Sequence, residues 1–236
     1  MNWRPELILI DLDGTLVDSV PDLSFCVDET MQALGLPRRG EAAVRLWVGN
    51  GVERLVARAL INALDGEPDE DLLARALPVF RDCYQANSAR RSTVYPGVRE
   101  GLMALRAADF KLGCVTNKAR RFTEPLLDSL HLAPYFELLV AGDDLAQKKP
   151  DPAPLLHAAA TLGAEPRRSL MVGDSKSDVH AARAAGFAVV CMRDGYNHGR
   201  DIREEHPDAV LERLDELPAL LAAGAVPEPV SLRAQT

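Results

Sequence analysis

Five short runs of the chain are apolar almost without interruption: residues 7–10, 112–115, 138–140, 170–172 and 188–192. Each is too short for a buried helix and gives way to a polar or glycine-containing stretch, the pattern of parallel strands covered on both faces. Between them lie stretches of helical character at 98–108, after Pro96-Gly97, and at 119–130, 152–162 and 178–185. Alternating strand and helix predicts an α/β fold: a doubly wound, mostly parallel sheet with a Rossmann-like core and right-handed crossovers.

The alternation fails over one interval. From 21 to 91 no strand pattern appears; amphipathic stretches run over 23–34, 41–47, 52–63 and 69–86. They are separated by Gly35-Leu36-Pro37, Gly49-Asn50-Gly51 and Gly66-Glu67-Pro68, which read as turns. The expected organisation is an α/β catalytic core of residues 1–20 and 92–223, carrying an inserted four-helix cap at 21–91. A single domain with one long helical crossover is the competing reading. The tail, 224–236, is rich in Pro, Ala and Val without periodicity and is expected to fray.

Charge narrows the partners. The net formal charge is −8 and no run of Lys or Arg is long enough to follow a phosphate backbone, so nucleic acid is not an expected partner. Any anionic substrate must therefore meet positive charge supplied locally. Cys26, Cys83, Cys114 and Cys191 stand far apart with no CxxC pair, which points to free thiols in a reducing cytoplasm. The first apolar run is too short for a signal sequence or a membrane span, and no membrane partner is expected. A monomer or homodimer is compatible with this composition.

In open α/β sheets ligands collect at the carboxyl ends of the strands. Those positions carry Asp11-Leu12-Asp13-Gly14-Thr15, Thr116-Asn117-Lys118, Lys148-Lys149-Pro150 and Gly173-Asp174-Ser175, with Asp178 four residues beyond Asp174. Ionisable side chains at one edge of a buried sheet are costly unless charge is used there. Asp11 and Asp13 are two apart, so in extended chain they share a face, and one carboxylate can attack phosphorus while the other handles protons. A calcium-binding EF-hand loop does not fit, because Thr15-Leu16-Val17 follow where spaced oxygen ligands are required. Asp174 adds a third carboxylate, and oxygen ligands of this kind suit Mg²⁺. Asp178 supports the site from behind or serves as an acid in the first turn of a helix. Thr116 and Asn117 are candidate donors to phosphate oxygens, or an ordinary helix cap. Lys149, fixed ahead of Pro150, is the candidate cation beside Asp11, with Lys148 its competitor.

These residues resemble the signature of the haloacid dehalogenase-like phosphatases. D-x-D-G-T-L matches Asp11 to Leu16, the Thr or Ser after the second strand matches Thr116, the lysine matches Lys149, and G-D-S-x-x-D matches Gly173 to Asp178. The resemblance implies Asp11 as nucleophile and Asp13 as acid/base. It also implies Mg²⁺ held by Asp11, Asp174 and the backbone carbonyl of Asp13. Dehalogenases of the superfamily lack the second aspartate, which this chain keeps; imine-forming members use a cap lysine, and residues 21–91 contain none. Within the superfamily, residues 12–23, 47–52, 95–98 and 147–150 resemble a bacterial group that hydrolyses 2-phosphoglycolate. Asp151 stands where that group commonly has His.

The resemblance thus implies a small phosphorylated carboxylic acid as substrate. Sugar-phosphate hydrolysis, or transfer as in β-phosphoglucomutase, is the alternative. Gly49, Asn50 and Gly51 are the candidate cap contacts: the glycines permit close approach and Asn50 can hydrogen-bond a carboxylate, although a plain turn between helices is the competing reading. Arg45 and Arg54 are further candidates for that carboxylate. The five histidines fall on no strand end and are read as structural or solvated.

Overall fold

All five apolar runs become strands of one sheet. The computed structural model describes residues 3–229. The strands are β1 (Leu7–Ile10), β2 (Val17–Asp18), β3 (Thr93–Val94), β4 (Lys111–Val115), β5 (Leu138–Val140), β6 (Ser169–Gly173), β7 (Ala188–Met192) and β8 (Ala209–Leu211). The helices are α1 (Val20–Ala33), α2 (Glu41–Trp47), α3 (Val52–Ile61), α4 (Glu70–Asn87) and α5 (Val98–Ala107), then α6 (Arg120–Ser129), α7 (Ala153–Thr161), α8 (Lys176–Ala185) and α9 (Leu217–Ala222).

The main sheet has six strands in the order β5-β4-β1-β6-β7-β8, every neighbouring pair parallel. Period-two alternation divides β1 between two cores. Ile8 and Ile10 join Leu102 and Leu105 of α5 and Leu126 of α6, while Leu7 and Leu9 join Leu155 of α7 and Val179 of α8. All four β1 side chains are fully buried. At about 2 kcal/mol for each such side chain, this short strand anchors the sheet. From β1 the chain fills one side through β4 and β5, then crosses to β6 on the other. The carboxyl ends of β1, β4 and β6 thus flank the switch point where open α/β sheets bind ligands.

Residues 20–87 supply α1–α4, as the break in alternation predicts. Their own core joins Leu23, Val27 and Met31 to Leu55, Phe80 and Tyr84, and it includes Phe122 and Tyr196 from the sheet side. The Tyr84 and Phe122 rings meet edge to face at 5.0 Å. The insertion is therefore seated on the sheet's carboxyl edge.

Some elements were not legible. The two-residue strands β2 and β3 pair antiparallel and bracket the insertion; neither is long enough to carry a periodic signal. The three-residue β8 and the short α9 escaped for the same reason. α8 begins at Lys176, two residues before the expected start, because Ser175 and Asp178 close a capping box around its first turn. The expected frayed tail is corrected at its beginning, since Val226 is buried against the main core; residues 230–236 lie outside the described part. Among the described residues no helix is long and apolar enough to cross a membrane.

Candidate active site

Asp11 is the first residue beyond β1. Its N–H donates to the Val172 carbonyl (2.9 Å), which continues the strand register and aims the side chain at the sheet edge. Oδ1 accepts from the Leu12 N–H (2.7 Å) and lies 3.0 Å from Lys149 Nζ. The Lys149 ammonium, 2 % exposed, also donates to Asp178 Oδ1 (2.7 Å) and the Val115 carbonyl (2.8 Å). Three acceptors satisfy its three N–H groups, so its position is fixed. Lys148 is exposed, which resolves the choice between the two lysines.

Asp178 serves both roles considered for it. Oδ1 holds Lys149, while Oδ2 accepts from the Asp174 and Ser175 N–H groups and the Ser175 hydroxyl at the start of α8. Gly173 has no side chain for a steric reason, because a Cβ there would lie 2.3 Å from Asp178 Cγ. Asp174 accepts from Thr15 Oγ1 (2.6 Å) on one oxygen and from the Tyr196 N–H (2.6 Å) on the other.

Asp13 faces a different partner. Lys118 Nζ contacts both its oxygens (3.1 and 3.0 Å), and the Ser19 hydroxyl donates to Oδ1 (2.6 Å). Its side chain therefore takes no part in the metal-ligand cluster, where the expected contribution was its backbone carbonyl. Carboxylate oxygens of Asp11, Asp174 and Asp178 lie within 4.8 Å of one another.

A small cavity of about 40 Å³ opens over Asp11 and Asp13 between sheet edge and insertion. On the sheet side it is completed by Thr116, Asn117 and Lys118; on the other by Leu23, Val48, Gly49, Gly51, Val52 and Leu55. Two expectations need correction here. Asn117 Nδ2 donates to the Lys149 carbonyl (2.9 Å) and the Gly49 carbonyl (3.2 Å), so the amide hydrogens expected for phosphate clamp two loops instead. Asn50 lines a neighbouring cleft with Ser175 and His198, not this cavity, because Gly49 and Gly51, both at positive φ, present backbone to the site. Arg45 is engaged by Asp18 and Glu41, and Arg54 by Glu67 and the Gly66 carbonyl. Neither arginine lines the cavity. Lys118 and Tyr196 carry no sequence signal for their roles: Lys118 lies three residues past β4 with its partner Asp13 far away in sequence, and Tyr196 lies four residues past β7, too far to be read as a strand end.

Burial dominates the electrostatics. It pushes the Asp11 carboxyl up to about 7, partly offset by Lys149 and reinforced by Asp178. Burial also holds Asp174 well above the usual carboxylate range, with the charges of Asp178 and Asp11 adding to the shift. Lys149 is driven the other way: burial opposes its charge, but Asp11 and Asp178 outweigh it and raise its pKa. The cluster has more carboxylate than one ammonium can balance. Its hard oxygen donors therefore fit a divalent cation, with Asp11 and Asp174 the ligands least committed elsewhere.

Comparison with known proteins places the chain in one family. A family model described as haloacid dehalogenase-like hydrolase matches residues 8–192. A protein of Nitrosococcus oceani named phosphoglycolate phosphatase is 57 % identical over 94 % of this chain and 99 % of its own. A solved structure from Haemophilus somnus, titled a predicted phosphoglycolate phosphatase, superposes with a TM-score of 0.86 at 34 % identity, covering 93 % of this chain and 98 % of the other. A variant of CbbY from Rhodobacter sphaeroides, solved with xylulose bisphosphate, aligns with a TM-score of 0.73 at 25 % identity over 91 % and 96 % of the two chains.

Proposed function

The chain belongs to the haloacid dehalogenase-like hydrolases, and from that premise we propose that it is a Mg²⁺-dependent phosphatase that cleaves 2-phosphoglycolate to glycolate and phosphate. The observation that carries this reading is the meeting of Asp11, Asp13, Thr116 and Lys118 at one cavity, with Lys149 and Asp174 behind Asp11. The name borne by the Nitrosococcus oceani relative supports the substrate. Residues 1–20 and 92–223 form the catalytic core in this reading, and 21–91 the lid. The four free thiols suit a cytoplasmic enzyme.

In the proposed reaction an oxygen of Asp11 attacks phosphorus. A new P–O bond forms as the ester P–O bond breaks, and Asp13 gives its proton to the departing glycolate oxygen. Water then attacks the aspartyl-phosphate; Asp13 takes its proton, and the bond to Asp11 breaks to release phosphate. Lys149 favours the ionised form of Asp11 against the effect of burial and orients it, and Thr116 faces the phosphoryl oxygens. Asp11, Asp174 and the Asp13 backbone carbonyl would hold Mg²⁺, which when bound neutralises charge on the phosphoryl group. The insertion excludes water and must open to admit substrate.

The lining of the cavity, one lysine among apolar side chains and glycine backbone, supports a substrate with a single short anionic arm beyond the phosphate. The bisphosphate seen with CbbY keeps sugar phosphates as the competing class. A panel of phosphomonoesters assayed for phosphate release, with Mg²⁺ and then with EDTA, separates the two. The expected result is a clear preference for phosphoglycolate that EDTA abolishes; a flat profile, or higher activity on sugar phosphates, removes phosphoglycolate as the substrate.

The metal also has a signature in stability. Asp11 and Asp174 hold protons in the folded chain that the unfolded chain has released, so stability of the metal-free protein declines as pH rises from about 4 through about 7. Mg²⁺ binds the deprotonated native site, and its stabilisation follows the deprotonated fraction. Thermal melts should show a larger rise in Tm on adding Mg²⁺ near pH 8 than near pH 5. An equal rise at both would contradict this assignment.

A further inference from the structure

We propose that the carboxylate of the substrate is recognised by Lys118, the core residue that follows Thr116 and Asn117, and not by a cation of the cap; this rests on the reading of the substrate as a small phosphorylated acid. The cap wall of the cavity supplies apolar side chains and glycine backbone. The cap arginines nearest in sequence are committed elsewhere: Arg45 to Asp18 and Glu41, Arg54 to Glu67, and Arg58 to the carbonyls of Trp47 and Leu64. Lys149 has all three N–H groups engaged. Among the described residues, Lys118 is the cation lining the cavity that retains a donor.

Its two hydrogen bonds go to the two oxygens of one carboxylate, Asp13. An ammonium has three N–H groups, and beyond the two on Asp13 only the uncharged Tyr84 hydroxyl, among the described residues, stands near the third, a weaker partner than a second anion. Asp13 does not have to leave for that anion to bind, because the Ser19 hydroxyl holds it independently at 2.6 Å. The spacing also suits a short linker. Asp11 and Asp13 lie two residues apart, both line the cavity, and each has its own lysine. A phosphoryl group at Asp11 thus leaves the other end of a two-carbon acid within reach of Lys118.

The cap contributes by changing the surroundings of this lysine. Tyr84 of α4 lies with its ring centroid 4.9 Å from Lys118 Nζ, and its buried hydroxyl has no hydrogen-bond partner. The side chain of Lys118 is 4 % exposed beneath it. Removing water from the ammonium strengthens its attraction for an anion and raises the cost of leaving its third donor unmet. A hydroxyl in place of the carboxylate can accept from that donor but brings no charge to it; a carboxylate brings both.

The test compares 2-phosphoglycolate with 2-hydroxyethyl phosphate, which keeps the two-carbon skeleton but has no carboxylate, in the wild type, Lys118→Met and Lys118→Arg. In the wild type phosphoglycolate should be preferred. Lys118→Met should reduce the ratio of the two kcat/KM values by about a hundredfold, with most of that change in KM for phosphoglycolate, while Lys118→Arg keeps the preference. Lys118→Gln takes the place of the methionine variant if the latter does not fold. If both substrates lose equally, Lys118 only positions Asp13 and the proposal fails. A wild type without the preference overturns the substrate reading itself, and is told apart because no variant is needed to see it.

Discussion

Asp11→Asn is expected to lose turnover by roughly 10⁴-fold or more while the protein folds as before. Asparagine keeps the shape and the acceptor for the Leu12 N–H but is far too weak a nucleophile to form the acyl-phosphate. The structural consequence is small because the aspartate is uncomfortable where it stands. Burial pushes its pKa to about 7, so replacing the carboxylate with a neutral group removes a desolvated charge. Lys149 keeps Asp178 and the Val115 carbonyl as partners. In the absence of Mg²⁺ near neutral pH the variant should therefore melt no lower than the wild type, and the loss of rate is not to be explained by unfolding. A variant that melts normally and retains near wild-type turnover contradicts a covalent route through Asp11.

Lys149→Met should damage both stability and rate. It leaves Asp11 and Asp178 buried without their shared cation, and breaking a buried pair in this way costs about 3–5 kcal/mol. Catalysis should fall by roughly 10²–10³-fold, the scale of losing one fixed charge beside a reacting anion. Urea unfolding reads the first effect and steady-state kinetics the second. Mg²⁺ should recover part of the lost stability, since it replaces positive charge beside the same carboxylates. A variant as stable as the wild type would mean that the cluster does not need the lysine to stay folded.

The difference between these two variants follows from where each charge sits, and that was only partly legible in the sequence. The sheet was readable because β1, β4, β6 and β7 are buried on both faces and so appear as unbroken apolar runs, and even the half-buried edge strand β5 keeps three apolar residues in a row. The strand-end acids were readable because Asp11, Asp13 and Asp174 immediately follow such runs. What the pattern does not contain is pairing between side chains distant in sequence. Lys118 and Asp13 are separated by 105 residues, and nothing local announces that they meet. Asn117 likewise reads as a phosphate donor until its amide is seen bridging the Gly49 and Lys149 carbonyls. Asn50 reads as a cap contact, yet its side chain lines the neighbouring cleft, because a Gly-Asn-Gly loop gives no hint of which side its one side chain takes. Tyr196 connects Asp174 through its N–H to Asp18 through its hydroxyl, a link between sheet edge and cap entry visible only in three dimensions.

The central claim is that the phosphoryl group passes through Asp11, and acid-quenched mass spectrometry addresses it directly. Enzyme mixed briefly with 2-phosphoglycolate and Mg²⁺, then quenched and digested, should carry one phosphoryl group on the peptide containing Asp11, and the adduct should disappear in Asp11→Asn. Label found on a different residue, or substrate hydrolysed at full rate with no label trapped on this peptide, would contradict it.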